Sequence, residues 1–138
     1  VTGNIEHLKS LPNLSVICLY NTGVSGNIEH LKSLLNLTEI GFNETGVTGD
    51  ILHLNSLLNL TEIDLSDTGV TGNIEYFKSL PKLSVFWLSS TGVTGNIEHL
   101  KSLSNLTNIS LYNTDVGGDV QAFHEYRKNA GLKMCEFA

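Results

Sequence analysis

The chain has 138 residues, 41% of them hydrophobic, which suits a globular domain with one buried core. A net charge of −6 argues against a nucleic-acid partner, because phosphates need a basic face. No apolar run approaches the ~20 residues of a membrane span.

The sequence repeats itself. Val1, Val24, Val47, Val70, Val93 and Val116 open successive units of 23 residues that fill the whole chain. The reading is a single domain, 1–138, built of coils 1–23, 24–46, 47–69, 70–92 and 93–115 and a C-terminal cap, 116–138. In coil four the apolar positions are Val70, Ile74, Phe77, Leu80, Leu83, Phe86 and Leu88, and coils one and two carry their counterparts. So few inward side chains cannot hold a lone coil together. Stacked, they make one continuous core, which is the logic of a solenoid.

Within a coil the elements are expected in a fixed order. Glycines come first: Gly3, Gly26, Gly49, Gly72, Gly95 and Gly118 form a column suited to corners with positive φ. Ile51, Leu54 and Leu57 then step by three, as in a loose or 3₁₀-like turn. Next, Ile63 and Leu65 alternate with Glu62, Asp64 and Ser66, which predicts a short strand with the first pair inward. Stacked strands form a parallel sheet on one side. After the strand, Thr22, Thr45, Thr68, Thr91 and Thr114 make a hydroxyl column, expected to link buried backbone groups along the stack. Gly23, Gly46, Gly69 and Gly92 follow as a second corner column.

The last coil departs. Asp119 has the position of an N-cap, Ala122 to Asn129 reads as helix, and Gly131 stands where a helix stops. Val120, Phe123, Leu132 and Met134 keep the inward phase, while Glu125, Arg127 and Lys128 are assigned to a wet outer side. This is a cap. Nothing similar precedes Val1, so coil one is expected to show apolar side chains to solvent or to another chain, a possible route to self-association. Cys18 and Cys135 lie five coil steps apart, roughly 24 Å at the ~4.8 Å strand spacing, so two free thiols are expected.

The string Leu60-x-x-Ile63-x-Leu65-x-x-Thr68-x-Val70 resembles the strand motif of leucine-rich repeat proteins. The segment Val70-Thr71-Gly72-Asn73-Ile74 is similar to the L-T-G-x-I-P signature of the plant-type subclass, with Thr in place of the motif's Asn and no Pro. The resemblance implies a right-handed α/β solenoid, with a parallel β-sheet on the concave face and short 3₁₀ or irregular segments on the convex side. It also implies that the concave strand face takes the ligand.

Variation between coils points to the same face. The core columns barely change, whereas the outward strand positions do. The candidate contact residues are Trp87, Asp64, Glu62, Glu39, Tyr20, Tyr112, Ser89 and Val85. Trp87 is the only tryptophan, set beside acidic neighbours, as an interface anchor is. The expected partner is a protein or peptide. The same carboxylates are where a weak Ca²⁺ site would be built.

Other columns have plainer readings. Glu6, Glu29, Glu75 and Glu98 stand three residues before Lys9, Lys32, Lys78 and Lys101, as charge pairs on a solvated face. His7, His30, His53 and His99 form a copied surface column. Rings two coils apart are ~10 Å distant, too far to share one ion. Asn13, Asn36, Asn59 and Asn105 open N-x-S/T strings, which together with the plant-type resemblance lean toward a secreted or cell-surface setting. Two further readings stand beside partner binding. One is binding to a regular lattice such as ice through the column Thr2, Ser25, Thr48, Thr71 and Thr94, and the other is a purely structural stretch of a longer array. No nucleophile with an oriented base and no phosphate-cradling loop appears, so neither enzyme activity nor a cofactor is expected.

Overall fold

A computed structural model describes residues 1–138. Each coil contributes two strands: β1 (Thr2–Asn4) and β2 (Val16–Cys18) in the first, β3 (Gly23–Asn27) and β4 (Glu39–Gly41) in the second, and β5 (Gly46–Asp50) and β6 (Glu62–Asp64) in the third. Then follow β7 (Gly69–Asn73) and β8 (Val85–Trp87), β9 (Gly92–Asn96) and β10 (Asn108–Ser110), and β11 (Asp115–Gly117), the helix α1 (Val120–Asn129) and β12 (Glu136–Phe137). The odd strands form one six-stranded parallel sheet and the even strands a second. Parallel neighbours need a crossover, and a right-handed crossover repeated every 23 residues winds the solenoid.

Equivalent residues of successive coils stand in register. Ile17, Ile40, Ile63, Phe86 and Ile109 pair strand to strand across the second sheet. Leu37, Leu60, Leu83 and Leu106 are wholly buried in one row, and 31 buried residues make a single hydrophobic cluster. Coil one is the exception. Its Leu14 is only half-buried, Leu11 is 50% exposed and Val1 82% exposed. The widest hollow of the molecule, about 480 Å³, opens there between Ser10 and Val16.

The sequence predicts one sheet, and the structure has two. The Gly-Val-Thr-Gly-Asn segments, read as corners, are extended and pair along the stack. The two glycine columns then serve different ends. Gly72 has φ +112°, and the side chain of Asp50 fills the space a Cβ would need. Gly69 has no left-handed backbone; its missing Cβ leaves room for Thr48 Cγ2, which would lie 3.0 Å away. After the positive-φ glycines of coils one to five, Asn4, Asn27, Asp50, Asn73 and Asn96 each accept a backbone N–H two residues on at 2.8–2.9 Å, capping the 3₁₀ turn that follows.

The hydroxyl ladder exists, in another column. Thr68 Oγ1 donates to Leu65 O in its own coil at 2.6 Å, and the rest of that column does likewise. The rungs that join coils are Thr38, Thr61, Ser84 and Thr107, each donating to a carbonyl 23 residues earlier. That column precedes the strand, where the backbone turns and leaves a carbonyl facing the next coil. Asn36, Asn59 and Asn105 donate through Nδ2 to the coil before, at 3.2–3.5 Å, so three of the N-x-S/T asparagines work as rungs too.

The cap is where the expectation fails most. Asp119 does cap α1, accepting from Ala122 N at 3.0 Å, and Gly131 follows with φ +74°. Arg127, assigned to the wet side, is wholly buried. Its guanidinium donates to Lys101 O, Leu103 O, Leu106 O and Lys133 O at 2.6–3.0 Å. Coil five ends in carbonyls with no further coil to receive them, and one planar, five-donor group satisfies them together. Val120 and Met134, assigned inward, are 43% and 57% exposed, because the chain turns back to form β12 beside β10. Both cysteines are free thiols, with Cys18 exposed and Cys135 buried. The expected Glu–Lys pairs do not close. The one close contact between a carboxylate and a basic side chain joins Glu75 and His99 Nε2 at 3.8 Å, between coils.

Candidate binding face

The outward side chains of the even-strand sheet form three rows. The first holds Val16, Glu39, Glu62, Val85 and Asn108, and the second Cys18, Gly41, Asp64, Trp87 and Ser110. Just past the strands, backbone bonds continue the stacking through Asn43, Ser66, Ser89 and Tyr112, and Tyr20 has the equivalent position in coil one. Neighbours along a row are separated by the strand spacing of ~4.8 Å, so the rows form a close-set grid.

Trp87 is 38% exposed, large for an indole on a flat sheet, and Tyr20 and Tyr112 are 57% and 61% exposed at the two ends. Glu39 and Glu62 are exposed, while Val85 and Asp64 are half-buried. Ser89 departs from the expectation. It is 3% exposed and its Oγ donates to Ser66 Oγ at 3.2 Å, so it props the third row instead of offering a contact.

The electrostatics are one-sided. None of the fifteen grid positions is Lys or Arg, and three are carboxylates. Asp64 Oδ1 accepts from Ser66 N at 3.1 Å, and the Ser66 hydroxyl also acts on the carboxyl. Burial pushes the Asp64 carboxyl up from its ordinary value, Asp67 and Glu44 add to the rise, and the bonds from Ser66 oppose it. The carboxylates do not converge into a group of three able to hold a metal. The histidine column forms no such group either.

A hollow of about 170 Å³ lies over coils one to three on this face, between Tyr20 and Trp87. Reasoning from sequence left Gly41, Cys18 and Asn43 out of the site. The available signal was Gly41 itself, the one glycine in a row otherwise filled by side chains.

Comparison with known proteins places this geometry. No family model matches the chain, and no curated protein matches it by sequence. Solved structures do. The chain is similar to an internalin C2 from Listeria monocytogenes, at 20% identity and a TM-score of 0.76, over 98% of this chain and 56% of that one. It is also similar to the ectodomain of the Arabidopsis receptor kinase SOBIR1, at 24% identity and a TM-score of 0.75, over 86% of this chain and 68% of that one. A third is the Arabidopsis receptor kinase HAESA, solved with the peptide hormone IDA and the co-receptor SERK1. There the identity is 27% and the TM-score 0.74, over 83% of this chain and 20% of that one. The chain thus spans about half the length of the internalin and a fifth of HAESA. A stacked 23-residue strand motif, two parallel sheets and these neighbours agree: the chain has the leucine-rich repeat fold.

Proposed function

We propose that the chain is a recognition module that binds a protein or peptide across the outward face of the even-strand sheet. The observation that carries this is the contrast between the two sides of the same strands. Inward residues form one nearly invariant buried row, while outward residues change from coil to coil and include exposed Trp87, Tyr20 and Tyr112. Rigid aromatic side chains on a preformed sheet bind at low entropic cost. HAESA, a structural neighbour, is described with a peptide hormone bound. Glu39, Glu62 and Asp64 give the face a negative field that favours basic partners.

Selection of peptides from a random display library on the whole chain tests this. Peptides that bind should lose roughly 30-fold or more in affinity on Trp87→Ala, the scale of an interface hot spot. The variant should stay folded, since the indole lies outside the buried hydrophobic cluster. Binders indifferent to Trp87, Tyr20 and Tyr112 would place recognition elsewhere.

One observation favours a second reading. On the odd-strand sheet Thr2, Ser25, Thr48, Thr71 and Thr94 are all exposed, one per coil, beside a column of glycines that keeps the sheet low. A regular hydroxyl row at ~4.8 Å spacing suits a periodic surface such as ice. Inhibition of ice recrystallisation that is lost in Thr48→Tyr with Thr71→Tyr, and kept in Trp87→Ala, would support that reading over peptide binding.

A further inference from the structure

Gly41 is out of place in strand β4. Glycine within a strand costs backbone entropy and packs nothing. The usual excuses are absent. Its backbone is not left-handed, and a Cβ there would meet only Ile17 O at 3.5 Å and Cys18 Cα at 3.8 Å, ordinary contact distances. The fold therefore accepts a side chain at this position. A strand glycine without a packing reason marks a place where another molecule comes close.

The missing side chain makes the hollow. In register across the sheet, Gly41 sits between Cys18 and Asp64, with Trp87 one strand further on. Glu39 and Glu62 border it in the next row, and Tyr20 closes its other side. At about 170 Å³ it is smaller than the ~300–1,000 Å³ of pockets for whole small molecules, and is on the scale of one long side chain.

We propose that the hollow over Gly41 receives an arginine side chain of the bound peptide, its guanidinium forked onto the carboxylates of Asp64 and Glu62 and stacked toward Trp87. This rests on the peptide-binding reading above and names the chemistry of its central contact. A planar cation with a row of donors matches two things found together here, carboxylates with no cationic partner and an aromatic flank. The grid offers no Lys or Arg of its own, and no Lys or Arg elsewhere in the chain pairs with its carboxylates. A bare divalent ion fits less well, because the carboxylates do not converge. Burial raises the Asp64 carboxyl in the empty hollow, and an arriving cation relieves that cost.

Trp87 is the only tryptophan, so its emission reports on the site directly. The probes are a blocked Gly/Ser nonapeptide with one central arginine and the same peptide with citrulline, which keeps the shape and removes the charge. The arginine peptide should shift Trp87 emission with saturation in a range of about 1 mM or below. The citrulline peptide should bind roughly tenfold more weakly or worse, the loss of a charge-assisted hydrogen bond. Gly41→Leu, which fills the hollow, should weaken the arginine peptide by at least that factor with melting unchanged. Asp64→Asn should do so as well, and it serves as the deciding variant if Gly41→Leu does not fold. Equal binding of the two peptides, or wild-type binding by the folded variants, overturns the proposal. If display-selected peptides depend on Trp87 yet bind equally well to Gly41→Leu, the arginine contact fails and the peptide-binding face stands. If no binder depends on the face, both fail.

Discussion

Two side chains carry most of the electrostatic interest of this molecule. Arg127 is wholly buried with no carboxylate, and its charge is held by four carbonyl dipoles. Arg127→Met removes the donors and strands those carbonyls, so the chain should lose about 3–5 kcal/mol in urea unfolding. Arg127→Lys should recover only part of this, since an ammonium cannot span the fork. Asp64 works the other way. Its carboxyl is raised above 3.8 in the folded chain, chiefly by burial. Between 3.8 and the raised value the folded state holds more protons than the unfolded one. This group therefore costs stability as pH rises through that window, and its penalty is complete at neutral pH. Asp64→Asn keeps an acceptor for Ser66 N without the charge. Its urea midpoint should exceed the parent's at neutral pH, and the gap should close below pH 3.8. A carboxylate kept at a cost to the fold is what a binding role predicts.

At the scale of the element, each coil turns its corner after the even strand through a left-handed residue that is not glycine. Asn21, Glu44, Asp67, Ser90 and Asn113 have φ between 51° and 59°. The amides of the first four donate to a carbonyl of the next coil at 2.8–3.0 Å, so the conformation is fixed by stacking. Asn and Asp adopt this region at lower cost than Glu does. Glu44→Asn should therefore stabilise by up to about 1 kcal/mol, read as a rise in the urea midpoint with no change in slope. These corners were hidden in the sequence because the residues there share no type, only a position. The odd-strand sheet was hidden for a related reason. Gly-Val-Thr-Gly-Asn has poor strand propensity, and its extended form comes from backbone bonds between coils, which no single coil displays.

Over the whole molecule, stability is a sum over stacked neighbours, so the same substitution should cost differently by coil. Leu60→Ala, with a coil on both sides and no exposure, should cost about 2–5 kcal/mol. Leu14→Ala, half-buried in coil one, should cost no more than about half of that in this 138-residue chain. Equal losses in urea unfolding would mean that coil one is packed as tightly as the interior. The two ends are unlike: one closed by α1, β12 and the Arg127 fork, the other with apolar side chains of coil one exposed.

Repetition fixed a great deal before any coordinates. The 23-residue step placed Leu37, Leu60, Leu83 and Leu106 in one buried row, put the 3₁₀ turns and even strands in order, and turned Trp87 outward. Period and polarity suffice for this, because each coil can bury its apolar side only against its copies. The tertiary structure decided what depends on partners outside the coil. It buried Arg127, set Ser89 against Ser66, moved the linking hydroxyls to the Thr61 column, and opened the hollow over Gly41. A residue's type says which bonds it is able to make, and only the neighbouring coil says which acceptor, or which empty space, lies within reach.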